Sequence, residues 1–312
     1  MKYGFGVDVG GTTIKMGLLD AEGTLIEKRE IPTHIQNHGE AILPEIAAEI
    51  DAWMQERNLA KSEILGIGIG VPGPVDEDGR INRCVNLNWD VFNLHEELNR
   101  LTGLCVKAGN DANVAALGEA WKGGGKGCRS AVFVTLGTGV GGGVVINGEI
   151  VSGAHGAGGE IGHITVSDPE KALCTCGKFG CLEQYASANG IVRVTEKRLR
   201  ETGADSLLRA VDTITCKSVF DAARRQDAFA VETLEQVFDY LGEALASICC
   251  VCDPQCIIFG GGVSREGEFL LDGVKRHFEK YAFHASRDTQ FIQASLGNDA
   301  GMYGAFRLLL PA

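Results

Sequence analysis

From Tyr3 the chain reads strand, tight turn, strand, turn, strand. The stretch YGFGVDVGG runs apolar into a pair of glycines, TIKMGLLD alternates apolar and polar positions, and AEGT (21–24) carries the turn into a third strand. Further on, Ile42, Ile46, Ile50 and Trp53 recur at the spacing of one helix face. EILGIGIGVPGPV is an apolar run that breaks into a Gly-Pro loop, the pattern of a buried strand. CVKAGNDANVAALGEAW predicts a short strand ending at Asn110–Asp111, followed by an alanine-rich helix. Strands with crossover helices between them define an α/β layer pattern.

The pattern then restarts. SAVFVTLGTGVGGGVVINGEIV, residues 130–151, is again strand, glycine turn, strand, turn, strand, an internal echo of the opening block. Helices are expected from about 187 to 247. CIIFGGGVS reads as a late strand broken by three glycines, and GNDAGMYGAFRLLL opens a C-terminal helix. The expected organisation is two lobes. One spans 1–112 and takes back the last helix, about 299–312; the other spans 113–298, with a hinge near Asp111–Asn113.

Composition narrows the classes. At 312 residues the chain suits two lobes better than one core. Its net charge of −12, with no basic run longer than two, argues against a general nucleic-acid or anionic-membrane surface. An anionic substrate then needs a local device, such as backbone amides or a metal. The apolar N-terminal stretch is too short and too glycine-broken for a signal peptide, and no later run reaches 18 apolar residues. A cytoplasmic protein is expected. In that compartment its eleven cysteines are thiols or metal ligands rather than disulfides.

Three glycine loops each follow an apolar strand: DVGGTTIK (8–15), LGTGVGGG (136–143) and FGGGVS (259–264). A turn of this kind exposes several backbone N–H groups that can hold phosphate oxygens. Thr12, Thr13 and Thr138 add hydroxyls, Lys15 adds charge, and Asp8 can orient a hydrated Mg²⁺. Tight hairpin turns alone would also produce such loops. Neither a Walker A pattern nor a G-x-G-x-x-G opening a helix is present. The Asp-x-Gly-Gly-Thr-x-x-Lys start, the second Gly-Thr-Gly loop and the late triple glycine resemble the actin-like ATPase and sugar-kinase superfamily. That resemblance implies a duplicated two-lobed fold with ATP in the cleft between the lobes.

CTCGKFGC, residues 174–181, places three cysteines in eight residues, eleven positions after His163. Cys174, Cys176, Cys181 and His163 offer three thiolates and an imidazole, a set suited to tetrahedral Zn²⁺ with no open position. Gly177 and Gly180 would let the chain curl. The competing account is buried or redox-active thiols with an unrelated histidine. Cys249, Cys250, Cys252 and Cys256 lie in an apolar passage and, like Cys84, Cys105, Cys128 and Cys216, are expected to pack as small apolar side chains.

With GVPGPVD, NLNW, GNDANVAALGE, GEIGH and CTCGKFGCLE added, the chain resembles, over nearly its whole length, the ROK group of bacterial sugar kinases and sugar-responsive repressors. The resemblance implies one structural Zn²⁺ on His163, Cys174, Cys176 and Cys181. On the residues alone, Asp111 is either a helix N-cap or a proton acceptor; the resemblance places the family's catalytic Asp at this Asn-Asp pair. It further implies sugar contacts at Gly73, Asn110, Asp111, Glu160, His163 and Glu183. Nucleotide contacts are implied at Asp8, Gly10, Gly11, Thr12, Thr13, Lys15, Thr138, Gly139, Gly261 and Gly262. The activity implied is ATP-dependent phosphorylation of a hexose, NLNWD and GEIGH being most like the glucokinase members, with glucose 6-phosphate as product. Kinases of N-acetylmannosamine, allose or fructose are alternatives. A sugar-sensing regulator is a remoter one, because the first strand leaves no room for a helix-turn-helix ahead of it. A homodimer or tetramer is implied as well.

Overall fold

Strand β1 (Tyr3–Val9) runs antiparallel to β2 (Thr13–Asp20), with Asp8 opposite Lys15, and β2 runs antiparallel to β3 (Leu25–Pro32). The alternation in β1 and β2 buries Phe5, Val7, Ile14 and Met16 completely. In this computed structural model, which describes residues 2–82, 84–168 and 171–311, β4 (Ile64–Val71) joins β1 in parallel and β7 (Val106–Asn110) joins β4 in parallel. The sheet order is β3-β2-β1-β4-β7, and a small antiparallel ladder, β5 (Arg80–Ile81) with β6 (Phe92–Asn93), stands apart from it.

The second sheet repeats this plan. Strands β8 (Ala131–Leu136), β9 (Val140–Ile146), β10 (Glu149–Ile150), β11 (Cys256–Gly260) and β12 (Gln290–Gln293) lie in the order β10-β9-β8-β11-β12. Strand β11 is parallel to both β8 and β12, and β9 is antiparallel to β10. The sequence echo between residues 3–32 and 130–151 is therefore an echo of topology.

After a single irregular turn, α1 (Gln36–Gly39), helix α2 (Ile42–Glu56) buries Ile42, Ile46, Ile50 and Trp53 completely, as its spacing requires. Helix α3 (Leu94–Thr102) is capped by Asn93 and ends on left-handed Gly103. Helix α4 (Asp111–Lys122) follows β7 directly. Then come α5 (Glu183–Ala186), α6 (Ala188–Thr202), α7 (Cys216–Arg224), the long α8 (Ala228–Cys252), α9 (Glu268–Tyr281) and α10 (Ala300–Arg307). Among the described residues no helix is long and apolar enough to cross a membrane.

The chain divides into two compact units. The first comprises 1–129, 143–159 and 295–312, and the second 130–142 and 160–294. The expected boundary at 112/113 is displaced, because α4 belongs with the C-terminal helix. A methyl group on Gly118 would run into the Ala300 carbonyl, and one on Gly304 into that of Val114, so the backbones of α4 and α10 touch. Contact that close holds α4 in the first unit. The C-terminal part of the first unit begins at 295.

Candidate functional site

The candidate residues fall into two sets, one in each unit. In the first unit the β1–β2 turn is closed by a Gly10 N–H to Thr13 carbonyl bond of 3.1 Å, and Thr33 donates its hydroxyl to the Gly10 carbonyl at 2.7 Å. Gly11 and Thr12 stand exposed at its tip. A side chain at Gly11 would meet nothing within 4 Å, and the same is true of Gly137 and Gly262 in the other two loops. The protein's own packing does not demand glycine at these positions. Each loop thus has room for a group to approach its backbone.

Asp8, at the end of β1, is half-buried beside this turn. Burial raises its carboxyl to about 6; Lys15 opposes that shift, and Asp111 and Asp299 add to it. Lys15 donates from Nζ to the Asn298 carbonyl at 3.0 Å, so its ammonium is tied to the segment leading into α10.

The strand-to-helix junction β7–α4 shows which residue caps the helix. The N-cap is Asn110, whose Oδ1 accepts the Ala112 and Asn113 amides at 3.0 and 3.1 Å, while its Nδ2 donates to the Gly73 carbonyl at 3.2 Å. Asp111 is the first helical residue, and one of its carboxylate oxygens accepts the Ala112 amide at 2.8 Å. Capping is done by the neighbour, and the proline-flanked loop carrying Gly73 is fastened to the same asparagine.

The second unit brings together the other set. Glu183 begins α5, and its Oε2 accepts the Val140 amide at 3.1 Å across the second glycine loop. A methyl group on Gly139 would collide with that carboxylate. Glycine at 139 is what allows Glu183 to reach the loop. The third loop lies against the second: Gly261 has φ of 80°, and a side chain there would run into the Leu136 carbonyl. A cavity of about 400 Å³ opens beside Thr138, Gly139 and Glu183, and is also lined by Thr175, Asn189 and Arg193.

The cysteine hairpin converges as the sequence suggested. His163 Nδ1 lies 3.8 Å from Cys174 Sγ, Cys176 Sγ lies 3.6 Å from Cys181 Sγ, and the four ligand atoms are all within 4.8 Å of one another. A tetrahedral zinc site with Zn–S near 2.3 Å separates its sulfurs by about 3.8 Å. The donor set therefore fits the ion in kind and in spacing. Gly177 and Gly180 have φ of 87° and 76°, which lets the hairpin turn back on itself. Burial works to raise the Cys174 thiol, but the Cys176 amide, the other two thiols and His163 outweigh it and bring it down to about 7. Burial and the neighbouring thiols push Cys181 up to about 12. The other ring nitrogen of His163, Nε2, lies 3.9 Å from Glu160 Oε2.

One expectation about the remaining cysteines is corrected. Cys84, Cys249 and Cys256 are buried, but Cys105, in the loop just before β7, and Cys250, in the last turn of α8, are exposed. Among the described residues the Cys249–Cys256 group forms no metal-sized cluster.

Three residues beyond the expected set shape the first unit. Glu119 is fully buried, and its carboxylate accepts amides from Gly124, Ser295 and Leu296 at 3.0, 3.0 and 2.8 Å. Asp299 pairs with Lys28 at 2.6 Å, and Gly301 lies against Asp8. A signal for Asp299 was present, since GNDA at 109–112 recurs at 297–300. For Glu119 there was none, because a glutamate in an alanine-rich helix ordinarily faces water.

Two sheets of one plan, with glycine loops after their strands, are the architecture of ROK sugar kinases, which have the actin-like ATPase fold. The ROK family model matches residues 4–311, and the chain belongs to the ROK family. It is 46% identical over 304 residues to the glucokinase of Halalkalibacterium halodurans, covering 96% of this chain and 92% of that one. It is 36% identical to the glucokinase of Thermotoga maritima, covering 97% and 96%. Among solved structures it is similar to a ROK family glucokinase from Streptomyces griseus in complex with glucose and AMPPNP, with a TM-score of 0.72, 35% identity and 98% of each chain covered.

Proposed function

We propose that the chain is an ATP-dependent glucokinase, transferring the γ-phosphoryl group of ATP to the 6-hydroxyl of glucose. The observation that carries this reading is the 46% identity to the Halalkalibacterium halodurans glucokinase, over 96% of this chain. In the step, the bond between O6 and the γ-phosphorus forms and the bond to the β,γ-bridging oxygen breaks. ADP leaves with that electron pair, and the hydroxyl proton passes to Asp111. Asn110 supports this role by taking over the cap, so that Asp111 is oriented from the first turn of α4.

Sugar hydroxyls are assigned to Glu160, His163, Glu183 and the backbone of Gly73. Asn110 retains one Nδ2 N–H for a hydroxyl beyond its bond to Gly73. The phosphates are assigned to Gly10, Gly11, Thr12, Thr13, Thr138 and Gly139, and the adenosine to the neighbourhood of Gly261 and Gly262. Asp8 would hold a hydrated Mg²⁺, and Lys15, tied to Asn298, acts on the Asp8 charge.

Zinc would be held by His163 Nδ1, Cys174, Cys176 and Cys181. When bound, it supplies rigidity to the hairpin and no activated water. With Nδ1 on the metal side, the protein keeps Nε2 of His163 on the side of Glu160, ready for a sugar hydroxyl. The reading also carries a homodimer or tetramer in the cytoplasm, which light scattering of the purified protein checks for the assembly.

The test is ADP release, by a coupled assay, across glucose, mannose, fructose, allose, N-acetylglucosamine and N-acetylmannosamine. Glucose should give the highest kcat/KM. A higher value for another sugar would reassign the substrate, and no sugar-dependent ADP release would remove the kinase reading.

A further inference from the structure

Helix α4 begins at Asp111, and at its opposite end lies a second cavity, of about 480 Å³, wholly within the first unit. Leu117, Trp121 and Val145 give it an apolar wall, and Arg129, Asn147 and Arg307 give it polar groups. The volume is that of a small-molecule site. Trp121 is fixed, stacked on Phe306 at 5.9 Å with an interplanar angle of 18°. The floor is rigid too, since the Gly148 amide donates to the Arg129 carbonyl at 2.7 Å and joins the turn after α4 to the β9–β10 hairpin.

Arg307 is the informative group. It is half-buried and donates from Nη1 to the Leu310 carbonyl at 3.0 Å, which ties it to the end of α10. Among the described residues its Nε and Nη2 have no protein acceptor, and no carboxylate lies at ion-pair distance from it. Burial lowers it from its usual range, and the charge of Glu149 opposes this only from a distance. A guanidinium withdrawn from water without an ion partner is unfavourable, and an oxyanion of fork geometry relieves that. A second guanidinium, that of Arg129, lines the same space. In a chain of net charge −12, two arginines on one apolar cavity are a local exception.

We propose that this cavity is a ligand site for a small organic phosphate monoester. The dianion would sit on the fork of Arg307, with the positive charge of Arg129 beside it, and the organic body would lie on the Leu117–Trp121–Val145 wall. It is separate from the glycine loops and from Asp111, and it does not depend on the kinase reading.

Isothermal titration of the full chain with phenyl phosphate tests it, with glucose and a non-hydrolysable ATP analogue present at saturation and, separately, absent. The expected result under both conditions is one site per chain, with a Kd of about 1 mM or tighter. Inorganic phosphate and phenol, each lacking half of the recognition, should bind at least about ten-fold more weakly. Arg307→Gln and Arg129→Gln should each weaken phenyl phosphate by about ten-fold or more, with kcat for glucose retained. Arg307→Lys, which keeps the charge without the fork, should fall between and serves if the glutamine variant melts early. No binding up to about 10 mM, binding only when the catalytic ligands are absent, or equal affinity in the folded arginine variants would overturn the proposal.

Discussion

Gly301 lies directly against the carboxylate of Asp8: a methyl group at 301 would stand 2.5 Å from Asp8 Cγ and 2.6 Å from its Oδ2. The N-terminus of α10 thereby fixes the side chain at the end of β1. Gly301→Ala must displace Asp8, since the helix backbone cannot retreat from its contact with α4. A displacement of this kind should lower kcat about ten-fold or more and cost roughly 1–3 kcal/mol of stability from overpacking. Steady-state kinetics with a denaturant titration checks both; unchanged kcat would show that Asp8 can move without consequence.

Asp111→Ala should reduce phosphoryl transfer by on the order of 10²-fold or more while leaving glucose affinity largely in place. Because Asn110 does the capping, the loss of stability should be small. Turnover above about a tenth of the native value would remove Asp111 from the reaction.

The raised carboxyl of Asp8 has a pH signature. Its folded value of about 6 exceeds the 3.8 of an ordinary aspartate, so the folded chain holds this proton more tightly than the unfolded chain does. Its contribution is fully favourable below about pH 4 and is lost as pH rises through about 6. Asp8→Asn removes that dependence. Without nucleotide or Mg²⁺, the variant should be the more stable one at pH 7, and the difference should close on going down to pH 4. The slope between should be at most about 1.4 kcal/mol per pH unit, the limit for one proton. Parallel stability curves for the two proteins over that range would contradict the assignment.

Cys176→Ser should lower zinc content from one ion per chain, reduce thermal stability and raise the KM for glucose. The KM for ATP should change less. Elemental analysis and kinetics on the same preparation decide it, and an active protein free of zinc would end the metal assignment. Replacing Cys250, which is exposed and outside the cluster, should leave the metal untouched.

Glu119→Gln turns one acceptor oxygen into a donor facing amides that already donate. With three amides dependent on this fully buried carboxylate, the expected cost is about 2–4 kcal/mol. The midpoint of thermal unfolding should fall by several degrees, and hydrogen exchange at Ser295 and Leu296 should rise. Native exchange rates at those two amides would show that the carboxylate does not hold the segment.

The sequence by itself determined the elements whose pattern is local. The glycine-ended strands, the Ile42–Trp53 face and the Cys174–Cys181 hairpin were legible because alternation, helical spacing and compact ligand spacing are written in neighbouring residues. So was the doubling of the sheet, as an echo between two glycine turns. Helices α3 and α9 and strand β12 lay outside that reading, the last because its four residues, QFIQ, are too few to carry an alternation. Only the tertiary structure decided that Asn110 rather than Asp111 caps α4, since both residue types cap equally well and the choice depends on backbone angles at the junction. It alone placed α4 with the C-terminal helix, through backbone contacts between residues nearly two hundred positions apart. It alone turned Glu119 inward and set Glu183 on the loop of Gly139, because a carboxylate's partners are backbone amides, and amides are the same at every position until the fold aims them.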